Sequence, residues 1–80
     1  MSVGFFYSMS NNHEITCRIN GRDEVLPDGT TLLEYLEMKK TPAKAVVIEF
    51  NRRVLPRGRY DGITLSDGDS LEIVQVIGGG

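Results

Sequence analysis

The sequence predicts an α+β fold in which one helix packs across a face of a mixed sheet of about five strands. Three observations carry this expectation. Apolar residues alternate or run together in short segments punctuated by Asn-Gly, Asp-Gly and proline, as strands do. One segment alone shows helical spacing behind a capping signal. A chain of 80 residues has room for one compact core.

Residues 1–13 mix Ser, Asn and Gly with three aromatic side chains and keep no period. They read as a poorly ordered arm, with an edge strand through Phe5 and Tyr7 as the alternative. From Ile15 the pattern alternates: Ile15, Cys17 and Ile19 point one way, Glu14, Thr16 and Arg18 the other. Asn20-Gly21 tolerates positive φ and turns the chain into a second strand, Arg22 to Leu26. Pro27-Asp28-Gly29 ends that hairpin. Thr31-Leu32-Leu33-Glu34 is a capping box, and Leu32, Tyr35, Leu36 and Lys39 follow at helical spacing until Thr41-Pro42 stops the helix. Ala45 to Phe50 is nearly continuous apolar sequence rich in β-branched residues, which predicts a central strand buried on both faces.

Asn51-Arg52 turns this strand into Val54-Leu55, and Pro56 terminates the pair. Ile63-Thr64-Leu65 is a further short extended piece, Asp67-Gly68-Asp69 a turn, and Leu71 to Ile77 the last strand. Hairpins joined through one helix, with a final strand that must lie centrally, describe the β-grasp (ubiquitin-like) arrangement over residues 14–77. Residues 78–80 are left as a flexible glycine tail.

Composition narrows the function. A net charge of −2 and 25% charged residues give no global argument for nucleic-acid or membrane binding. Four arginines fall within eight residues (Arg52, Arg53, Arg57, Arg59), a set able to pair with a partner's acids or with phosphates. A solvated turn accounts for them as well, and RNA binding is a poor fit because only Phe50 and Tyr60 lie nearby. One cysteine forms no internal disulfide and no cysteine-based metal cluster. No apolar run approaches the roughly 18 residues that span a bilayer. With no Lys or Arg before Arg18 to mark a secretory signal, the expected location is the cytoplasm.

Gly78-Gly79-Gly80 directly follows a strand. At an average glycine frequency of about 7%, such a terminus arises by chance in roughly 0.03% of chains. Glycines carry no side chains, so about 10 Å of this chain can thread a narrow channel in almost any backbone conformation. What remains to be recognised is backbone and the carboxylate of Gly80. A carboxylate is a poor electrophile and needs a partner enzyme to activate it as an acyl-adenylate. The sequence holds neither GxxxxGK[ST] nor GxGxxG, so no phosphate cradle of its own is read. The chain is expected to be a protein co-substrate, not an enzyme.

Two segments carry a more specific likeness: Ala45-Val-Val-Ile-Glu-Phe-Asn-Arg-Arg-Val-Leu-Pro-Arg57, and Asp67-Gly-Asp-Ser-Leu-Glu-Ile-Val-Gln-Val-Ile-Gly-Gly-Gly80. With Thr31-Leu-Leu-Glu34 at the helix start, the chain from about residue 14 resembles the thiamine-biosynthesis sulfur carrier family, ThiS. It shares the apolar strand, Asn turn, V-x-P-R, D-G-D turn and strand ending in Gly-Gly. It departs at Arg52, where glycine is commonest. The resemblance implies that a ubiquitin-activating-like (ThiF-type) adenylating enzyme uses ATP and magnesium on the Gly80 carboxylate, and that the chain itself binds neither. A persulfide relay would then supply sulfur for a thiocarboxylate, and a thiazole synthase (ThiG-type) would take it. The small subunit of molybdopterin synthase, MoaD, uses the same chemistry and is the rival within the fold. A non-conjugating interaction module and an isopeptide-forming modifier are the readings from other classes.

Alternation in the last strand puts Leu71 and Ile73 inside and leaves Val74 and Val76 on the open face beside the tail, unless another layer or the N-terminal arm covers them. These valines, with Arg57 of the arginine cluster, are the expected partner-binding residues of a monomer, and Gly78 and Gly79 the part that enters the partner's channel. Cys17, between Ile15 and Ile19, reads as a small core hydrophobe. His13 stands without other ligands at metal spacing. Asp67-Gly68-Asp69 lacks the later glutamate of a calcium loop and reads as a turn.

Overall fold

The computed structural model describes residues 13–76. The expectations placed on residues 1–12, on Ile77 and on the glycine tail lie outside the described residues. The elements are β1 (Glu14–Ile19), β2 (Arg22–Pro27), α1 (Leu32–Met38), a 3-10 turn (Ala43–Ala45), β3 (Val46–Phe50), β4 (Arg53–Val54) and β5 (Ser70–Gln75). The five strands form one sheet in the order β2-β1-β5-β3-β4, so the last strand is central, as its sequence requires. β1 and β5 run parallel, and the other pairs are antiparallel.

The hairpin β1–β2 closes at Asn20 and Gly21, with φ of 53° and 82°. Such a left-handed pair twists in the same sense as the strands it joins. β2 reaches Pro27, one residue further than the sequence predicts, because it lies at the sheet edge where proline forfeits no ladder bond. The capping box forms as expected: Glu34 N–H donates to Thr31 Oγ1 at 3.1 Å, and Thr31 N–H to Glu34 Oε1 at 2.9 Å. Leu32, Tyr35 and Leu36 make the buried stripe of α1.

The helix ends before Thr41-Pro42. Lys40 takes φ of 56°, its N–H donates to Glu37 O at 3.0 Å, and Thr41 N–H donates to Leu36 O at 2.9 Å. This is a Schellman cap with lysine at the position that usually selects glycine, and so the sequence gives no warning of it.

Two further expectations are corrected. β3 is an interior strand as expected, but it is not buried on both faces. It lies between β5 and β4; Val46 and Ile48 are fully buried, whereas Val47 and Glu49 are half-buried. The helix covers one face of the sheet, and Val47, being apolar on the other face, makes a one-sided strand read as two-sided. Ala45 belongs to the 3-10 turn instead of the strand. The segment around Thr64 is not a strand but an isolated bridge to Thr31, with Leu32 N–H bonded to Ile63 O and Leu65 N–H to Thr30 O.

The core lies between helix and sheet: Ile15, Cys17, Ile19, Leu26, Leu32, Tyr35, Leu36, Val46, Ile48 and Leu71, closed by Tyr60 and Leu65 from the β4–β5 connection. The Tyr60 hydroxyl donates to Val46 O at 2.9 Å, which satisfies the polar end of a buried ring. No described helix is long and apolar enough to cross a membrane.

Asn51 and Arg52 close the β3–β4 hairpin with φ of 50° and 71°. A side chain at Arg52 is strained there, since left-handed angles crowd a Cβ against the carbonyl. Arg52→Gly is therefore expected to raise unfolding free energy by about 0.5–1 kcal/mol, less than the full relief of strain because the unfolded chain also gains freedom. Urea melts of the two proteins measure it.

Burial, followed by a hydrogen bond of 2.9 Å to Glu24 Oε2, pushes the Tyr35 phenol well above its ordinary value of 10.0. A group whose pKa is raised on folding stabilises below its unfolded value and loses that contribution as pH climbs through the folded one. Stability is thus expected to fall from about pH 10 upward, and Tyr35→Phe to flatten that limb. Denaturant midpoints taken between neutral and strongly alkaline pH test this.

Candidate functional site

The sequence places its chemistry on the tail, and the structure shows how the root of that tail is held. Along β5, alternate residues bond to opposite neighbours. On one side β3 supplies the antiparallel ladder from Phe50↔Leu71 to Val46↔Gln75, and Val76 N–H donates onward to Ala45 O at 2.8 Å. On the other side parallel pairing with β1 is short, covering Arg18↔Ser70 and Ile19↔Leu71. There β1 turns away, and the Asn20 side chain takes over its role.

Asn20 N–H donates to Leu71 O at 2.9 Å. Its carboxamide then bonds both backbone groups of Ile73: Ile73 N–H donates to Oδ1 at 2.7 Å, and Nδ2 donates to Ile73 O at 3.3 Å. A side-chain amide reproduces one more rung of a peptide ladder. The other end of β5 is fixed by a second asparagine. Asn51 N–H donates to Ser70 O at 2.8 Å, Ser70 N–H to Asn51 Oδ1 at 2.9 Å, and Asn51 Nδ2 to Asp69 Oδ1 at 3.1 Å.

This register decides which side chains face outward. Leu71 is fully buried and Ile73 half-buried, while Val74 is 59% and Val76 42% exposed. The alternation expected for the two valines is therefore present, and no described segment covers them. Val47, which the apolar run of β3 predicts to be buried, lies directly across from Val74 on the same face and extends the apolar surface.

The structure divides the arginine cluster. Arg52 sits in the hairpin turn and Arg53 opposite Phe50, and both are exposed, as is Arg59. Arg57 is tied to the segment that holds the end of β5. Its Nη2 donates to Lys44 O at 3.1 Å, one residue before the carbonyl that holds Val76. Ala43, Lys44, Arg57 and Gly58 line a shallow depression of about 410 Å³. A larger open depression of about 530 Å³, lined by Pro27, Asp28, Gly29, Thr30, Glu34, Glu37 and Met38, lies at the opposite end of the sheet from Val76. Gly78, Gly79 and Gly80 themselves are outside the described residues.

Cys17 packs as the sequence predicts, fully buried with Sγ 3.4 Å from Ser66 O. Burial, then the charges of Asp69 and Asp67, pushes its thiol up and away from the nucleophilic thiolate. His13 is exposed at the start of β1. Both carboxylates of the D-G-D turn serve backbone amides: Thr16 N–H donates to Asp67 Oδ1 and Ser66 N–H to Asp69 Oδ2, each at 2.7 Å. Among the described residues no group of three or more His, Cys, Asp or Glu is placed to hold a metal.

A helix laid across a mixed five-stranded sheet whose last strand is central defines a β-grasp domain. The chain belongs to the ThiS family, whose model matches residues 11–80. It is 33% identical over 64 residues to a sulfur carrier protein ThiS of Bacillus subtilis, covering 79% of this chain and 97% of that one. It is also 34% identical over 62 residues to a thiazole synthase of Paramagnetospirillum magneticum; the match covers 78% of this chain but spans 19% of the synthase's length. The fold superimposes on the crystal structure of a thiamine biosynthesis protein (ThiS) from Geobacter metallireducens with a TM-score of 0.68 at 30% identity, covering 82% of this chain and all of that one.

Asn20→Gly keeps the left-handed turn and removes only the carboxamide. Two bonds to Ile73 are lost while its backbone groups regain water, so a destabilisation of about 1–2 kcal/mol is expected. Faster hydrogen exchange at the Ile73 amide, with β1–β2 amides unchanged, would locate the effect at the root of the tail.

Proposed function

We propose that this chain is a sulfur carrier for construction of the thiazole ring of thiamine. The observation that carries the reading is its near end-to-end likeness to the ThiS sulfur carrier of B. subtilis. The sequence adds three glycines after Ile77, one residue past the held Val76, and the geometry adds apolar side chains at that end of β5. Likeness to thiazole synthases favours thiazole over molybdopterin as the destination of the sulfur.

The chemistry follows from the carboxyl group of Gly80. A carboxylate oxygen attacks the α-phosphate of ATP on an E1-like, ThiF-type enzyme, with magnesium held by that enzyme and pyrophosphate leaving. The acyl-adenylate carbon is then attacked by the terminal sulfur of a persulfide, and AMP departs. A second thiol cleaves the resulting acyl disulfide; the persulfide's carrier leaves in a disulfide with that thiol, and the thiocarboxylate remains on Gly80. A thiazole synthase receives the sulfur. In this cycle the folded domain is an address and the glycine tail the working end; ATP and magnesium belong to the partner.

Incubation with a ThiF-type enzyme, ATP, magnesium and a persulfide donor is expected to add about 16 Da to the intact mass, one oxygen exchanged for sulfur. The same measurement reports whether the carboxyl of Gly80 is free. Removal of Gly79 and Gly80 is expected to abolish the gain while leaving the thermal midpoint unchanged. An unaltered mass for the intact chain, with an enzyme shown to charge another carrier, would count against the proposal.

A further inference from the structure

The depression of about 530 Å³ at the corner between β2 and α1 takes no part in the chemistry proposed for the tail. Pro27 and Met38 give it apolar surface, and Asp28, Glu34 and Glu37 give it carboxylates. Met38 is 58% exposed, the most open apolar residue of α1. The ion pairs among the described residues use none of the three carboxylates. The chain enters the fold at this same corner: Glu14 pairs with Pro27, and Asp28 N–H donates to His13 O at 3.0 Å. Residues 1–12 are therefore attached at the edge of the depression. They hold Phe5, Phe6 and Tyr7 and no charged side chain. The match to the ThiS family begins at residue 11, so the aromatic segment lies outside the part shared with that family.

We infer that this depression is the docking site of the chain's own N-terminal arm, which lays Phe5-Phe6-Tyr7 against Pro27 and Met38. The tether selects this occupant. Ser8 to Asn12 is a connection of five residues, an ordinary loop length. It holds the rings beside the depression at an effective concentration on the order of millimolar, which any partner free in solution has to outcompete. Charge agrees with the tether. A second copy of this chain, with its net charge of −2, brings further acid to an acidic rim. The arm brings none, and its Tyr7 hydroxyl and its Asn11 and Asn12 amides can donate to carboxylates. The valines of the open face are out of reach. From the row of His13 to that of Val74 is six residues along β1 to Ile19 and three more along β5 from Leu71, about 30 Å of strand. Tyr7 stands six residues from His13, at most about 22 Å of extended chain. Docking removes aromatic surface from water and sets the rings against the Met38 thioether, a contact favourable in itself. The inference goes beyond the sulfur-carrier reading and does not rest on it, since β5 ends at the other end of the sheet.

The test uses the full chain, labelled at the methionine methyls and kept dilute, and reads nuclear Overhauser contacts in wild-type protein. The Met38 methyl is expected to contact ring protons of Phe5, Phe6 or Tyr7. Phe5→Ser/Phe6→Ser is expected to move the Met38 methyl resonance toward its position in the unfolded chain. Met38→Ala is expected to lower the urea midpoint of the wild type and to leave that of the serine pair unchanged, because the two sites act as one contact. Absence of any arm contact at Met38, with its methyl unmoved by the serine pair, would overturn the inference. Ring contacts to Val74 or Val76, or backbone contacts that pair the arm with the free edge of β2, would place the arm elsewhere and overturn it too. Contacts found solely between differently labelled chains in a mixed sample would assign the depression to the arm of a second copy, again against the inference. None of these readouts involves Gly80, so the sulfur-carrier reading stands or falls separately by the mass measurement.

Discussion

Two asparagines hold the strand on which everything else depends. Asn20 and Asn51 both sit at the first left-handed position of a two-residue turn, and both reach with their carboxamides to β5. One fixes the strand at Ser70, the other at Ile73. Between them the backbone of β5 is bonded on both sides, although β1 accompanies it for only two residues. A central strand so briefly paired on one side takes little of its register from that ladder. Its register has to come from contacts such as these.

Register matters because a strand has a period of two. A slip of one residue would turn Leu71 and Ile73 outward and bury Val74, Glu72 and Val76 against the helix. A buried, unpaired Glu72 is the costly part of that exchange, since charge taken from water without a partner is strongly disfavoured. The same alternation that fills the core with Leu71, Ile48 and Val46 therefore lays out the valines and glutamates of the open face. The packed core and the pattern of the open face are two sides of a single choice.

Much of this was legible in the sequence, and the limit falls at a definite physical scale. Signals within about four residues read correctly: the Asn20-Gly21 turn, the Thr31–Glu34 capping box, the D-G-D turn and the alternation that exposes Val74 and Val76. Cys17 was legible as core because its neighbours alternate with it. Two kinds of feature were not. Lys40 closes the helix with a positive φ that its residue type does not favour, held by bonds to Glu37 and Leu36. β3 reads as two-sided because Val47 is apolar, and only the sheet order shows that its outer face meets no helix.

The contacts that matter most to the candidate site join residues far apart in the chain. Asn20 meets Ile73 across 53 positions, and Glu49 meets Glu72 only once β3 and β5 are aligned. Each asparagine is recognisable as a turn former, but a turn former needs only its backbone. That its side chain also serves as a rung of someone else's ladder is a property of the assembled sheet. The same holds for the glutamates: on isolated strands each is an ordinary solvated residue, and their opposition exists only in the folded register. A surface pattern written in cross-strand pairs is thus absent from any local window of sequence, and two turn residues, Asn20 and Asn51, help to keep it in place.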